Sequence, residues 1–458
     1  MDSLILSRAQ FGDTAAFHIL WPLLSIGLSF FMLIMEALWR YTGDEKYYRQ
    51  VRFWSKVFIL TFGIGVASGI PLQFQFGTNW ASFSHAAGDF FGNVLGFEST
   101  VAFALEAAFL AIFVFGWKRV GPKMHLFANA MVFVGATLSA FWIMAANSWM
   151  QIPRGVVYVP AQAGESAKLV VTNYVEAIFN PGTLVSFGHM WLACIVTTMF
   201  FMMGLCALAL LRRAKQGAFF LDTFKYCLII AAIAVPAQIV MGHTSGAVVA
   251  QYQPQKLAAI ELHWDTNTQG AGAAWSLLAL PDKDREQNSF DIAIPNVLSL
   301  ITTNSPTGQV KGLNDFPAED RPTKVEATLA FYAFRTMVAI GFFFLFLIAL
   351  GLWYWYKGKL ALGAVVAHRK FLWLWILATP LGFVATIAGW MTREIGRQPW
   401  VLYNIIRTKD AVSPHLSAPA VATTFALFNL LYAALLALFI YFTYRILATG
   451  PDLESPLP

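Results

Sequence analysis

The chain of 458 residues carries 31 Lys and Arg against 25 Asp and Glu; 12% of its residues are charged and 58% hydrophobic. A soluble globular domain has about 25% charged residues, so this composition excludes an ordinary water-soluble protein and makes lipid the main solvent. The net charge of +6 does not indicate nucleic acid, because no basic run or nucleic-acid motif accompanies it; Lys and Arg flanking membrane helices account for it.

The opening residues, MDSLILSRAQFGD, lack a basic leader and a small-residue cleavage site follows nowhere near, so the first apolar stretch is expected to be a retained helix. Stretches long enough to cross a hydrocarbon core of about 30 Å occur at 14–38, 53–77, 94–116, 124–146, 183–211, 219–241, 327–356, 371–391 and 419–447. This predicts an all-α, polytopic bundle of nine transmembrane helices forming a single domain over 1–458. The connections at 39–52, 117–123, 212–215 and 357–370 are basic and fall on one side, whereas 78–93 has no Lys or Arg. The positive-inside rule then places the N-terminus outside and the C-terminus inside. The outer connection at 242–326 is polar and long for a structureless loop, which marks it as functional. Within it, 256–264 reads as a short helical piece. Cys194, Cys206 and Cys227 lie in apolar segments without metal-binding spacing and read as inert thiols. The 16 Trp and 41 Phe suit interfacial belts, and equally the walls of a large flat cofactor.

An ionisable group inside a bilayer costs at least about 2.5–3.5 kcal/mol on insertion scales, so each one invites a functional reading. His18 lies a turn inside the outer end of span one. Glu98 is placed near the outer end of span three, with Glu106 about two turns deeper. His189 opens span five and His243 ends span six, while Arg335 and Met337 lie two to three turns into span seven. Trp390, Glu394 and Arg397 close span eight. Six helices thus deliver ligands or charge partners to one outer layer. Taken singly, His18 or His189 is equally a hydrogen-bonded membrane histidine, Met337 a packing residue, and Glu394 a carboxylate paired with Arg393 or Arg397. Haem iron takes His and Met as axial ligands and its propionates favour Arg, and the shared depth favours that chemistry. Glu98 and Glu106, eight residues apart, fall within about 80° and about 12 Å of each other on an ideal α-helix, which suits a proton relay or, as the alternative, a pair of interhelical hydrogen bonds. His85, His125, His263, His368 and His415 read as surface or interfacial side chains.

Several long motifs resemble subunit I of the cytochrome bd-type quinol oxidases, over nearly the whole chain. They are SRAQFGDTAAFHILWPLLSIG at the N-terminus, GFESTVAFALEAAFL at 96–110, SFGHMWLA at 186–193, KLAAIE at 256–261, FRTMV at 334–338 and GWMTREIGRQPW at 389–400. The resemblance implies a terminal respiratory oxidase that oxidises quinol on the periplasmic side and reduces dioxygen to water. Its protons would come from the cytoplasm, building a gradient without a pump. It implies that His189 and Met337 ligate a low-spin haem b with Arg335 beside it. His18 and Glu394 would serve two high-spin haems, one haem b and one haem d or a third haem b, with Trp390 and Arg397 in the same pocket. Glu98 would face the active haem, Glu106 would lie on the proton path, and Lys256 and Glu261 in the 242–326 loop would serve ubiquinol or menaquinol. The loop lacks the insertion of long-loop relatives, which makes this a short-loop form, as in the cyanide-insensitive branch. Implied partners are a second large membrane subunit (subunit II) and small single-helix subunits in the bacterial inner membrane. A transporter reading of the buried carboxylates predicts internal symmetry, which the sequence lacks. A quinol dehydrogenase without oxygen chemistry leaves His18, Glu98 and Glu394 unexplained.

Overall fold

The computed structural model describes residues 2–160, 167–282 and 285–457. Among the described residues nine helices are long and apolar enough to cross a bilayer. They are α1 (Ser3–Thr42), α2 (Glu45–Thr78), α3 (Gly88–Phe115), α4 (Pro122–Gln151), α5 (Thr183–Leu211), α6 (Gly217–Tyr252), α7 (Lys324–Tyr356), α8 (Arg369–Ile395) and α9 (Ala418–Thr449).

Local chemistry sets their ends. The Asp2 side chain accepts from the Leu4 N–H at the start of α1, and Gly43, at φ 72°, closes it in the left-handed conformation that glycine adopts without strain. Thr323 and Glu326 form a reciprocal capping box at the start of α7. Consecutive helices make the most extensive contacts, pairing α1 with α2, α3 with α4, α5 with α6 and α7 with α8. Small residues let α5 also meet helices distant in the chain. A side chain at Gly27 of α1 would lie 2.1 Å from Thr198 of α5, and one at Gly204 of α5 would lie 1.8 Å from Thr379 of α8. Without a hydrophobic drive between helices in lipid, such close backbone approach is what gains dispersion energy. α5 is accordingly the hub, with 83% of its most apolar window buried, against 11% for the peripheral α9.

Several expectations need correction. α6 runs to Tyr252, so the first eleven residues of the expected 242–326 loop are helical and the connection begins later. Nor is that connection structureless. It contains a helix at Pro254–Glu261, an antiparallel hairpin of Trp275–Pro281 with Asn288–Ile294, and a helix at Val297–Thr303. α3 begins at Gly88 rather than at 94, which carries Glu98 ten residues into the helix instead of near its end. Residues Glu98–Phe103 are a π-helical segment, so the ideal α-helical angle between Glu98 and Glu106 does not apply. A π-segment widens the turn, and such segments concentrate at functional sites. His125 is not at the surface but is 1% exposed within α4. The three cysteines are free and buried.

Candidate functional site

At the end of the bundle opposite the basic loops, expected to be the outer one, a polar knot gathers around the last turn of α8. Glu394 Oε1 accepts from Asn147 Nδ2 at 2.9 Å and Gln151 Nε2 at 3.2 Å, both on α4. Its Oε2 is ion-paired with Arg397 one turn on. Arg393 turns elsewhere, donating to Asn147 Oδ1 at 2.5 Å and Ser186 Oγ at 3.1 Å. A carboxylate offers about four lone-pair sites; three donors leave Glu394 one free, on Oε2. Arg393 Nη2 and Arg397 Nη1 are buried donors without a partner among the described residues. Two unpaired guanidinium donors in one knot call for further anionic oxygen, as carboxylate side arms of a cofactor supply. Trp390 lies one turn before Glu394, partly buried.

The loop helix Pro254–Glu261 plugs into this knot. Lys256 and Glu261 are each 3% exposed. Lys256 Nζ donates to Gln151 Oε1 at 3.0 Å, and Gln253 Nε2 donates to the same oxygen at 3.1 Å. Gln151 therefore bridges Lys256 to Glu394. Burial holds the Lys256 ammonium well below its ordinary range, with Arg393 and Arg397 acting in the same direction and Glu394 against them. Glu261 pairs with Arg335 Nη2 at 2.5 Å. Burial raises the Glu261 carboxyl, and Arg335 opposes the rise. Arg335 also donates to the carbonyls of Ser276 at 2.9 Å and Ile260 at 3.1 Å, so it fastens the loop to α7.

The remaining candidate ligands each lie beside a glycine. The Ser68 hydroxyl donates its one hydrogen to the Gly65 carbonyl at 3.0 Å. It therefore accepts from His18 Nδ1, 3.0 Å away, which leaves Nε2 as the ring nitrogen with a free lone pair. A side chain at Gly69 would meet the His18 ring at 3.2 Å. His189 Nε2 lies 3.4 Å from the Gln238 amide, while Nδ1 is buried with no partner among the described residues. A side chain at Gly242 would meet the His189 ring at 3.2 Å, and one at Gly389 the Met337 sulfur at 3.0 Å. Among the described residues no three His, Cys, Asp or Glu converge. Ligands that stand singly in this way suit an iron whose other positions a porphyrin fills, and the residues present fit haem.

On α3, Glu98 accepts from Ser139 Oγ of α4 at 2.6 Å and from Ser99 Oγ at 3.2 Å. Glu106 is buried against Gly135 of α4, where an added side chain would lie 2.9 Å away. Sequence reasoning missed Ser68, Ser139, Asn147, Gln151 and Ser186. Asn147 and Gln151 stand four apart in an apolar helix, a spacing that puts them on one face and was a usable signal. The serines carry none.

Fold and site together define a polytopic membrane protein whose His, Met and Arg side chains suit haem. A family model described as cytochrome bd terminal oxidase subunit I matches residues 6–451. The chain is 33% identical over 463 positions to the cytochrome bd ubiquinol oxidase subunit 1 of Bacillus subtilis (strain 168), covering 99% of this chain and 96% of that one. It is 31% identical to the cytochrome bd-II ubiquinol oxidase subunit 1 of Escherichia coli (strain K12), covering 100% and 99%. The structure of bd oxidase from Geobacillus thermodenitrificans superposes with a TM-score of 0.85 at 29% identity, covering 98% of this chain and 99% of that one. The chain belongs to the cytochrome bd terminal oxidase subunit I family. It is a multi-pass membrane subunit of a haem-containing respiratory quinol:oxygen oxidoreductase that works with a subunit II.

Proposed function

We propose that this subunit oxidises quinol at its outer, periplasmic face and passes the electrons inward to haems that reduce dioxygen to water, with protons drawn from the cytoplasm. The observation that carries the reading is the pair of half-buried histidines, His18 and His189, each with a ring nitrogen free for ligation and each seated against a glycine. His189 and Met337 would hold the low-spin haem b. His18 and Glu394 would serve the high-spin haem b and the haem d or third haem b, with Trp390 beside them. Arg393 and Arg397 would receive carboxylate groups on their unpaired donors. When bound, haem supplies electron transfer at the six-coordinate site and oxygen binding where a position stays open.

The chain's own residues do the rest. A cavity of about 440 Å³, lined by Tyr252, Gln255, Asp320, Trp400 and Tyr403, opens beside the loop helix that carries Lys256. It offers a quinol ring, ubiquinol or menaquinol, an aromatic wall. Lys256, held low in proton affinity by burial, and Glu261, held high, are placed to accept quinol protons and release them outward. Glu106 and Glu98 line the inward path. The basic loops put the N-terminus in the periplasm and the C-terminus in the cytoplasm of a bacterial inner membrane, and small single-helix subunits complete the assembly.

The test is a reduced-minus-oxidised absorption spectrum of the purified complex. A far-red chlorin band beside haem b bands identifies haem d, and haem b bands alone identify the d-less form. No haem signal in freshly purified complex overturns the reading.

A further inference from the structure

At the opposite end of the bundle, where the basic loops gather, a second buried charged cluster stands apart from the haem and quinol sites. Glu36 of α1 is 0% exposed and His125 of α4 is 1% exposed. Glu36 Oε1 lies 2.7 Å from His125 Nδ1, and Asn129 Nδ2 donates to Glu36 Oε2 at 2.9 Å. Arg40, itself partly exposed, reaches within 3.5 Å of the carboxylate. His125 Nε2 lies 3.0 Å from the Phe113 carbonyl oxygen on α3.

These contacts fix a proton count. A carbonyl oxygen only accepts, so His125 Nε2 carries a hydrogen. A neutral imidazole has one N–H, so the 2.7 Å contact at Nδ1 needs a second proton, from a carboxylic acid or from an imidazolium. In either form the pair holds one proton more than an ionised glutamate beside a neutral histidine. A mere staple between helices does not need this, because replacing a buried ionic pair with apolar side chains is often neutral or stabilising.

Position gives the extra proton a use. Along α4, from the basic end outward, His125 and Asn129 hold Glu36, Gly135 packs against Glu106, Ser139 holds Glu98, and Asn147 and Gln151 hold Glu394. Four carboxyl groups from three other helices thus meet one helix in sequence. From His125 to Gly135 is about 15 Å along the axis, a gap that a proton crosses only through intervening water. Reduction of dioxygen to water consumes one proton for each quinol electron, and the quinol's own protons leave on the far side.

We propose that Glu36 and His125 form a proton-holding site at the cytoplasmic mouth of α1, α3 and α4, which loads the inward path toward Glu106; the proposal rests on the oxidase reading. The test is E36Q in the full complex reconstituted in vesicles. The glutamine amide can still donate to His125 Nδ1 and accept from Asn129, so a structural staple survives while the exchangeable carboxyl proton is lost. The expected result is a parental haem spectrum, proton uptake slowed about tenfold or more with a steeper fall on the alkaline side, and loss of one carboxyl band from the redox-difference infrared spectrum. E36D, which keeps the carboxyl, should restore much of the uptake rate. Parental uptake, pH profile and infrared bands in E36Q overturn the proposal, as does an E36D defect as large as that of E36Q. Should E36Q fail to assemble with haem, H125Q takes its place with the same three readouts: slowed uptake supports the proposal, and parental behaviour in all three overturns it. A parental complex that reduces no oxygen with quinol overturns the oxidase reading itself, a result distinct from any of these.

Discussion

Two buried charged clusters occupy opposite ends of this bundle, and they are built on different terms. At the inner one, every side-chain polar atom of Glu36 and His125 has a partner, and the unpaired atoms, Asn129 Oδ1 and Arg40 Nε, belong to their neighbours. The outer knot carries more cation than anion. Arg397 pairs with Glu394, Lys256 reaches it through Gln151, Arg393 binds the neighbouring Asn147, and two guanidinium nitrogens remain unpaired. Burying uncompensated charge is costly, so the outer knot is shaped for something the chain alone does not contain, whereas the inner pair is complete and can only exchange what it already holds. The difference separates a cofactor and substrate region from a transfer site, although both are clusters of buried ionisable groups.

Glu394→Ala attacks the contrast most directly and should have the largest effect. Removing the one carboxylate that compensates buried Arg397 is expected to cost about 3–5 kcal/mol and to remove the spectrum of one high-spin haem. Thermal unfolding of the purified complex reads the first and absorption the second. Glu36→Ala should cost less, because the cation it would leave unpaired, Arg40, is partly exposed and can be solvated; equal losses would erase the distinction. Next, Glu261→Ala should slow quinol oxidation by about 10²-fold while sparing oxygen reduction driven by an artificial donor. Equal loss with both donors would remove Glu261 from the quinol site. Met337→Leu should alter the low-spin haem spectrum and leave the high-spin bands in place, and an unchanged low-spin spectrum would end its candidacy as a ligand.

The smallest effect concerns pH. Lys256 is held well below its ordinary 10.5 in the folded chain, so between the two values the unfolded chain binds more protons. Stability therefore rises with pH through that window. Lys256→Met should flatten the rise in a plot of unfolding temperature against pH, and an unaltered slope would mean that Lys256 keeps its proton on folding.

Much of this was open to a reader of the sequence. The span count follows from apolar length. GWMTREIGRQPW and its companions indicated the family. Other readings failed for identifiable reasons. His125 looked interfacial because it sits near a helix start, yet the crossing of α1 and α4 buries it against Glu36. The helix pattern of α3 gave no sign of the π-helical turn at Glu98–Phe103, because one widened turn does not interrupt the helical run around it. The expected loop boundary at 242 was early because polar His243 and Thr244 continue α6.

By itself the sequence determined what its periodicity and composition can encode, namely nine apolar helices, their alternating basic ends, and the residue types available at each depth. Only the tertiary structure decided which of those residues meet. Gln151 joins Lys256 to Glu394, Arg335 takes Glu261, and α4 collects four carboxyl groups. Each of these partnerships spans two helices, or a helix and the outer loop, that lie far apart in the chain. Their choice depends on where backbones cross, and small residues such as Gly27, Gly204 and Gly135 set those crossings by close packing that no local pattern records.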